Sequence, residues 1–263
     1  MSCEPRIALV LGSGGLRGLA HVGVLSVLEE NNIKPDLITG CSIGSLIGAL
    51  ICAGHDSQTL MKLARALGRK SWIEFVADKL GFVASDKVYE IVTILTQNRR
   101  IEELDIPFAA VATDLTLGKE HVFYTGKAAD AVCSSISVPG LFVPYRYGGH
   151  QMVDGALINP TPVNIAKKMG ADLIIAVDLA FVSTVEEVNN FFDVILRSLD
   201  IMEKGLHHYN GLEQSCDVLI RPQLNECRVT DFQKIEECYE AGRLAAEKAL
   251  PEIKNILATY SLK

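Results

Sequence analysis

Basic charge and long apolar runs are both scarce in this chain of 263 residues. Its 25 Lys and Arg face 32 Asp and Glu, a net charge of −7 at pH 7, and that balance offers no footprint for nucleic acid. The apolar run Ile43 to Gly54 is well short of the roughly 20 residues needed to span a bilayer, and the uncharged stretch around it, Leu37 to His55, is interrupted by Thr39, Gly40, Ser42, Gly44, Ser45 and Gly48. After Arg6 the first apolar run, Ile7 to Leu11, is ended by glycine and is too brief for the core of a signal peptide. Cysteine is present but unpatterned. The seven residues are odd in number, dispersed and without a CxxC pair, which points away from a disulfide framework or a zinc site and fits a reducing compartment. The chain is therefore expected to be soluble and cytoplasmic, at most resting on a membrane.

With 49% hydrophobic and 22% charged residues, the composition is that of an ordinary globular protein. The length is read as one domain over residues 1–263. Short β-branched and aliphatic runs bounded by turn residues alternate with longer helical periods, the pattern of an α/β fold with a mainly parallel sheet. Strands are expected at Ile7 to Leu11, Leu37 to Thr39, Phe108 to Thr113, His121 to Tyr124, Gln151 to Val153, Leu173 to Asp178 and Val218 to Arg221. Ser85 and Gly126 read as helix starts. Val188, Phe191, Ile195, Leu199, Met202, Leu206 and Tyr209 step by three or four, which predicts a helix whose apolar stripe faces the core. A further helix is expected from about Asp231, broken or kinked at Pro251.

Three places carry chemistry. The first is Gly12-Ser13-Gly14-Gly15-Leu16-Arg17-Gly18, between the first strand and a helix. Without Cβ atoms the backbone can curl so that successive N–H groups converge, and a helix N-terminus adds partial positive charge. Such a loop can hold a phosphate or a developing oxyanion, or be no more than a tight turn.

The second is Gly40-Cys41-Ser42-Ile43-Gly44, after a strand and before an apolar helix, the context that gives a GxSxG nucleophile elbow its meaning. The plainer reading makes Ser42 an N-cap, but a cap needs no glycine on both sides. The third is Met152-Val153-Asp154-Gly155-Ala156 at the end of a strand. Asp-Gly is a common hairpin turn. In the functional reading Asp154 takes the proton from Ser42 directly, which requires burial to raise a pKa near 4. Histidine finds no support as the base. His207 and His208 sit in the long amphipathic helix as solvated surface, and His21 reads as a packed helix residue. Only two strands precede Ser42, too few for the order of an α/β-hydrolase.

Together these elements resemble the patatin-like phospholipases, in particular short bacterial members related to the catalytic domain of neuropathy target esterase. The family's glycine loop and following His-x-Gly-Val-Leu match Gly12 to Gly18 and His21-Val22-Gly23-Val24-Leu25. Its elbow matches Gly40 to Gly44, and its Ser-rich stretch resembles Ser134 to Pro144. Its Asp-Gly-Gly/Ala motif matches Asp154-Gly155-Ala156, followed by Asn159-Pro160. The resemblance implies a three-layer α/β/α fold with a mainly parallel sheet. It also implies a Ser-Asp dyad that hydrolyses acyl esters of lipids through an acyl-serine, with no metal and no cofactor. Carried over, Ser42 is the nucleophile and Asp154 the general base. Gly14 and Gly15 form the oxyanion hole with Arg17 in support, and Gly12, Gly18, Gly40, Gly44 and Gly155 shape the turns. Ser13 stands where a glycine is common, and Ala156 replaces the second glycine after the aspartate.

Charge hints at a surface. Lys62, Arg65, Arg69, Lys70, Lys79, Lys87, Arg99 and Arg100 outweigh Glu74, Asp78, Asp86 and Glu90 within residues 60–100 of an otherwise acidic chain. Trp72, Phe75, Leu80, Phe82 and Val83 lie among them. This segment is expected to be a lid or a peripheral contact with anionic membrane at the inner membrane surface, or a helical surface with its apolar face in the core. The alternative function is a regulatory or lipid-binding protein that keeps the fold and turns over little. Dinucleotide binding is disfavoured because the second strand, where the ribose-binding acid should stand, runs into Gly40-Cys41-Ser42.

Overall fold

The computed structural model describes residues 4–67, 74–76, 78–179, 188–224 and 234–261. In chain order its strands are β1 (Ile7–Leu11), β2 (Leu37–Cys41), β3 (Glu74–Phe75), β4 (Val83–Ala84), β5 (Phe108–Asp114), β6 (Lys119–Phe123), β7 (Tyr145–Tyr147), β8 (His150–Asp154), β9 (Leu173–Val177) and β10 (Val218–Ile220). The helices are α1 (Leu19–Glu30), α2 (Ile43–Cys52), α3 (Ser57–Ala66), α4 (Asp86–Leu95), α5 (Ala128–Ile136), α6 (Val163–Lys168), α7 (Phe191–Tyr209), α8 (Leu212–Ser215) and α9 (Ile235–Ser261).

Every residue of β1, β2, β5 and β9 is buried. Unbroken apolar runs such as Ile7-Ala8-Leu9-Val10-Leu11 suit only strands covered on both faces. These strands form the centre of an eight-stranded sheet in the order β10-β9-β1-β2-β5-β8-β7, with β6 also paired to β5. From β10 to β5 the pairing is parallel; β6, β7 and β8 add antiparallel pairs. Leu9, Leu11, Ile38, Ala110 and Ile175 pack under helices α1, α2, α5 and α9. Ala8, Val10, Leu37, Ile174 and Ala176 pack on the other face, against Val163 and Ala166 of α6 and Leu212 of α8. The architecture is therefore the three-layer α/β/α sandwich expected from the sequence.

At Pro251 the last helix is not broken: the proline stands inside α9, which runs on to Ser261. The lost hydrogen bond is outweighed because Leu250, Ile253 and Leu257 on either side of it pack into the core. The stripe in α7 does not face the core. Phe191, Met202 and Tyr209 are exposed, the last by 87%, while Ile195, Leu199 and Leu206 are half-buried. Helical period reports amphipathicity, and here the inward face includes polar residues because of what lies beneath it. No helix among the described residues is long and apolar enough to cross a membrane.

Helices α1 and α9 touch backbone to backbone. A Cβ added at Gly23 would fall on the Tyr239 carbonyl oxygen, and one added at Gly242 on the Ala20 carbonyl oxygen. Gly23→Ala is therefore expected to cost about 1–3 kcal/mol by forcing the helices apart. The loss should appear as a lower urea midpoint with an unchanged slope; an unchanged midpoint would contradict this contact.

Candidate active site

Strand β5 brings the two candidate groups together. Its Val111 pairs with Cys41 of β2, and its next residue, Ala112, pairs with Asp154 of β8. Strand β6 occupies the opposite edge of β5 over Ala110 to Asp114, so β2 and β8 share one edge and run toward each other. The parallel strand ends at Cys41 and the antiparallel one at Asp154. The residue after β2 therefore meets the last residue of β8, although they are 112 positions apart in the chain.

At that junction the Ser42 hydroxyl donates to Asp154 Oδ2 over 2.6 Å, and both residues are buried. Ser42 has φ 54° and ψ −124°, and its side chain makes no capping bond to α2. Left-handed backbone is costly for a residue with a Cβ, so the plain N-cap reading fails on both counts. The elbow is pinned by the Ser42 N–H, which donates to Ser135 Oγ (2.8 Å), while the Ser135 hydroxyl donates to the Val111 carbonyl (2.6 Å). A Cβ at Gly40 would strike the Gly44 carbonyl, and one at Gly44 would strike the Leu11 carbonyl. Glycine on both sides of the elbow is thus required by close approach.

Asp154 serves as a turn residue and as a partner for Ser42 at once. Its Oδ1 accepts from the Ala156 N–H (2.9 Å), its carbonyl accepts from the Thr113 hydroxyl (2.9 Å), and its N–H donates to the Ser137 carbonyl (2.9 Å). Burial raises its pKa to about 6, opposed by the hydrogen bonds from Ser42, Ala156 and Cys41. The carboxylate is thus a stronger base than a solvated one and is still ionised at neutral pH. Burial also pushes the neighbouring Cys41 thiol well up, and its Sγ stands 3.9 Å from Asp154 Oδ1 against 2.6 Å for the Ser42 hydroxyl to Oδ2, so the hydroxyl is the better placed partner of the carboxylate.

The glycine loop is braced from behind. Arg17, buried itself, donates from Nε to the Gly14 carbonyl (3.1 Å). In a planar trans peptide the Gly15 N–H then points the opposite way. His21, fully buried, donates from Nε2 to the Gly12 carbonyl (2.8 Å), and desolvation holds its pKa down to about 4. It is a neutral, packed helix residue, as its sequence context predicts. The Ser13 N–H is taken by the Pro160 carbonyl (2.9 Å), whereas the Gly14 and Gly15 N–H groups take no backbone acceptor among the described residues. Gly18 is required where α2 abuts the loop, since its Cβ would collide with the Ile43 side chain.

His208 lies on the surface as expected, but His207 does not. It shares a hydrogen bond with the Thr161 hydroxyl (3.0 Å) and lies 3.5 Å from Asp178 Oδ1. Two further residues at the site carried no role in the sequence. Ser135 lay within the quoted Ser-rich stretch, but nothing local marks which serine reaches the elbow. Glu203 sits on the inward face of α7, one helical repeat beyond Ile195 and Leu199, and the only trace is an acid interrupting an apolar spacing. Among the described residues no cluster of His, Cys, Asp or Glu is arranged to hold a metal ion.

An uncharacterised NTE family protein of Mycobacterium tuberculosis is 35% identical over 181 residues, covering 68% of this chain and 50% of that protein. Human patatin-like phospholipase domain-containing protein 6 is 35% identical over 187 residues, covering 66% of this chain and 13% of that protein. Lysophospholipase NTE1 of Debaryomyces hansenii is 27% identical over 279 residues, covering 93% of this chain and 18% of that protein. The chain thus spans half or less of the length of these relatives. Among solved structures, VipD from Legionella pneumophila superposes with a TM-score of 0.68 at 13% identity, over 95% of this chain and 67% of that one; the two share a fold. The sequence model of the patatin-like phospholipases matches residues 9–167, the segment that contains the glycine loop, the elbow and Asp154, and the chain belongs to that family.

Proposed function

We propose that the chain is a serine acyl hydrolase acting on lipid esters, with Ser42 as nucleophile and Asp154 as its base. The observation that carries this reading is the 2.6 Å bond from Ser42 Oγ to Asp154 Oδ2 in a buried, strained elbow. Asp154 accepts the hydroxyl proton as Ser42 Oγ bonds to the ester carbonyl carbon, and the carbonyl oxygen becomes an oxyanion facing the N–H groups of Gly14 and Gly15. Collapse of this intermediate expels the alcohol, which leaves with the proton held by Asp154. Water, deprotonated by the same carboxylate, then cleaves the acyl-serine and restores Ser42. Arg17 acts through Gly14, by orienting the peptide whose N–H faces the oxyanion.

A membrane contact is supported by apolar surface more than by charge. Arg65, Arg99 and Arg100 of the basic segment are paired with Glu236, Asp105 and Glu102; Arg69, Lys70 and Trp72 lie outside the described residues. Leu80 and Phe82 are exposed, as are Phe191, Val194 and Ile201 on the outer side of α7. The two groups adjoin a common turn. Phe82 N–H donates to the Leu141 carbonyl, and Gly140 packs on Ile195.

Three outcomes are expected. Asp154→Asn keeps the turn but removes the base, and should lower kcat/KM on a soluble nitrophenyl ester by about 10²- to 10⁴-fold. Its melting temperature at pH 8 should hold or rise, because a desolvated carboxylate has been replaced by a neutral amide; retained activity would refute the dyad. In the wild type kcat/KM should fall as pH drops through about 6, where Asp154 takes up a proton. The Phe82→Ser/Phe191→Ser double variant should weaken binding to phosphatidylcholine vesicles by at least about tenfold, with little response of wild-type binding to salt. Unaltered vesicle binding would remove these residues from the contact.

A further inference from the structure

Helix α7 contains a carboxyl group that the mechanism above leaves unused. The helix lies across the Gly155–Leu157 turn that follows Asp154, and its inward residues recur every fourth position. At one end Ile195 seats on Gly140, where an added Cβ would come within 2.6 Å of Ile195 Cδ1. At the other end His207 bonds to Thr161, whose side chain closes over Gly12. Between these anchors the Glu203 carboxyl faces Ser13 of the glycine loop, within electrostatic reach of Arg17 and Asp154. The Ser13 hydroxyl is itself buried, with no partner in hydrogen-bond geometry. A glycine loop whose Gly14 and Gly15 N–H groups take no backbone acceptor among the described residues is thus faced by an acid carried on a helix whose other side is exposed and apolar.

We propose that α7 is a built-in cover of the site, and that the Glu203 carboxyl, seated against the glycine loop, stands in the place of the substrate's ester group until the helix withdraws it. The inference rests on the reading of Ser42 as nucleophile. Around Glu203 stand Ser13 and Arg17 from the loop, Asp154 from β8, Cys41 from the end of β2, and Asp200, Lys204 and His207 on its own helix. Desolvation, then the charges of Asp154 and Asp200, raise its pKa from 4.5 to about 8, against the opposing influence of Ser13 and Arg17. Withdrawn into water, the carboxyl returns to its ordinary range. The covered form therefore holds a proton that the uncovered form releases. Covering is fully favoured below about pH 4.5 and is lost as pH rises toward 8, by up to about tenfold per pH unit.

The test is the rate at which a fluorescent fluorophosphonate labels Ser42 in the intact protein without lipid, followed against pH, with Ser42→Ala as blank and melting temperature as the check of folding. Wild type should label slowly at pH 6 and faster up to about pH 8. Glu203→Ala should label about tenfold faster than wild type at pH 6. Glu203→Gln, a neutral mimic of the protonated acid, should remain slow and lose the rise between pH 7 and 8. Labelling of Glu203→Ala at or below the wild-type rate would overturn the cover, and a marked loss would make Glu203 a supporting group of the active site instead. If no folded variant labels at all, Ser42 is not an activated nucleophile and the cover falls with it. Equal labelling of wild type and Glu203→Ala sinks the cover alone.

Discussion

The end-to-end meeting of β2 and β8 along one edge of β5 is the constraint on which the rest of the site depends. Ladder hydrogen bonds hold Val111 opposite Cys41 and Ala112 opposite Asp154, so the backbone itself brings a hydroxyl to a carboxylate. The scaffold itself orients that carboxylate. Here one carboxylate oxygen is fixed by the Ala156 N–H while the other receives Ser42. A slip of one residue in either strand would turn its side chain to the opposite face. The same geometry explains Gly155, whose Cβ would strike the Val111 carbonyl at the crossing point.

Holding the carboxylate there has an energetic cost. Raising Asp154 from 3.8 to about 6 corresponds to about 3 kcal/mol of stability forgone above pH 6, at 1.36 kcal/mol per unit. The backbone around it is held by a polar frame, although the Ser13 hydroxyl and His21 Nδ1 within that frame are buried without a partner in hydrogen-bond geometry. Gly12 and Gly14 carbonyls are occupied by His21 and Arg17, and the Ser13 N–H by Pro160. Because His21 stays neutral to about pH 4, the frame itself does not titrate in the physiological range. Changes of charge near Ser42 are left to the carboxyl groups.

Much of this was legible in the sequence, for reasons that are local. Runs such as Leu173 to Val177 and Phe108 to Asp114 are short, largely apolar and preceded by turn residues, which favours buried strand over helix, and each glycine of the elbow marks a backbone approach that a Cβ would block. The meeting of Ser42 with Asp154 was legible because each sits at a strand end in a glycine turn. What stayed hidden depends on contacts across the chain. Nothing near Ser135 states that it reaches the Ser42 N–H, and nothing near His207 states that Thr161 and Asp178 await it. The stripe in α7 misled because periodicity separates two faces of a helix without saying which one is covered. In α7 the covered face includes Glu203 and His207, since the surface beneath is polar.

The contact between Gly23 and Gly242 bears on how the protein is made. Helix α1 directly follows the glycine loop, yet the backbone it packs against belongs to α9, and β1 gains its second neighbour only when β9 is in place. During synthesis the elbow and the loop leave the ribosome long before residues 235–261 exist. Until then α1 has an uncovered apolar face and the loop has no firm backing. Pairings of such long sequence separation form late and slowly, so the backing of Ser42 and of the glycine loop is complete only once α9 has docked on α1 and β9 on β1.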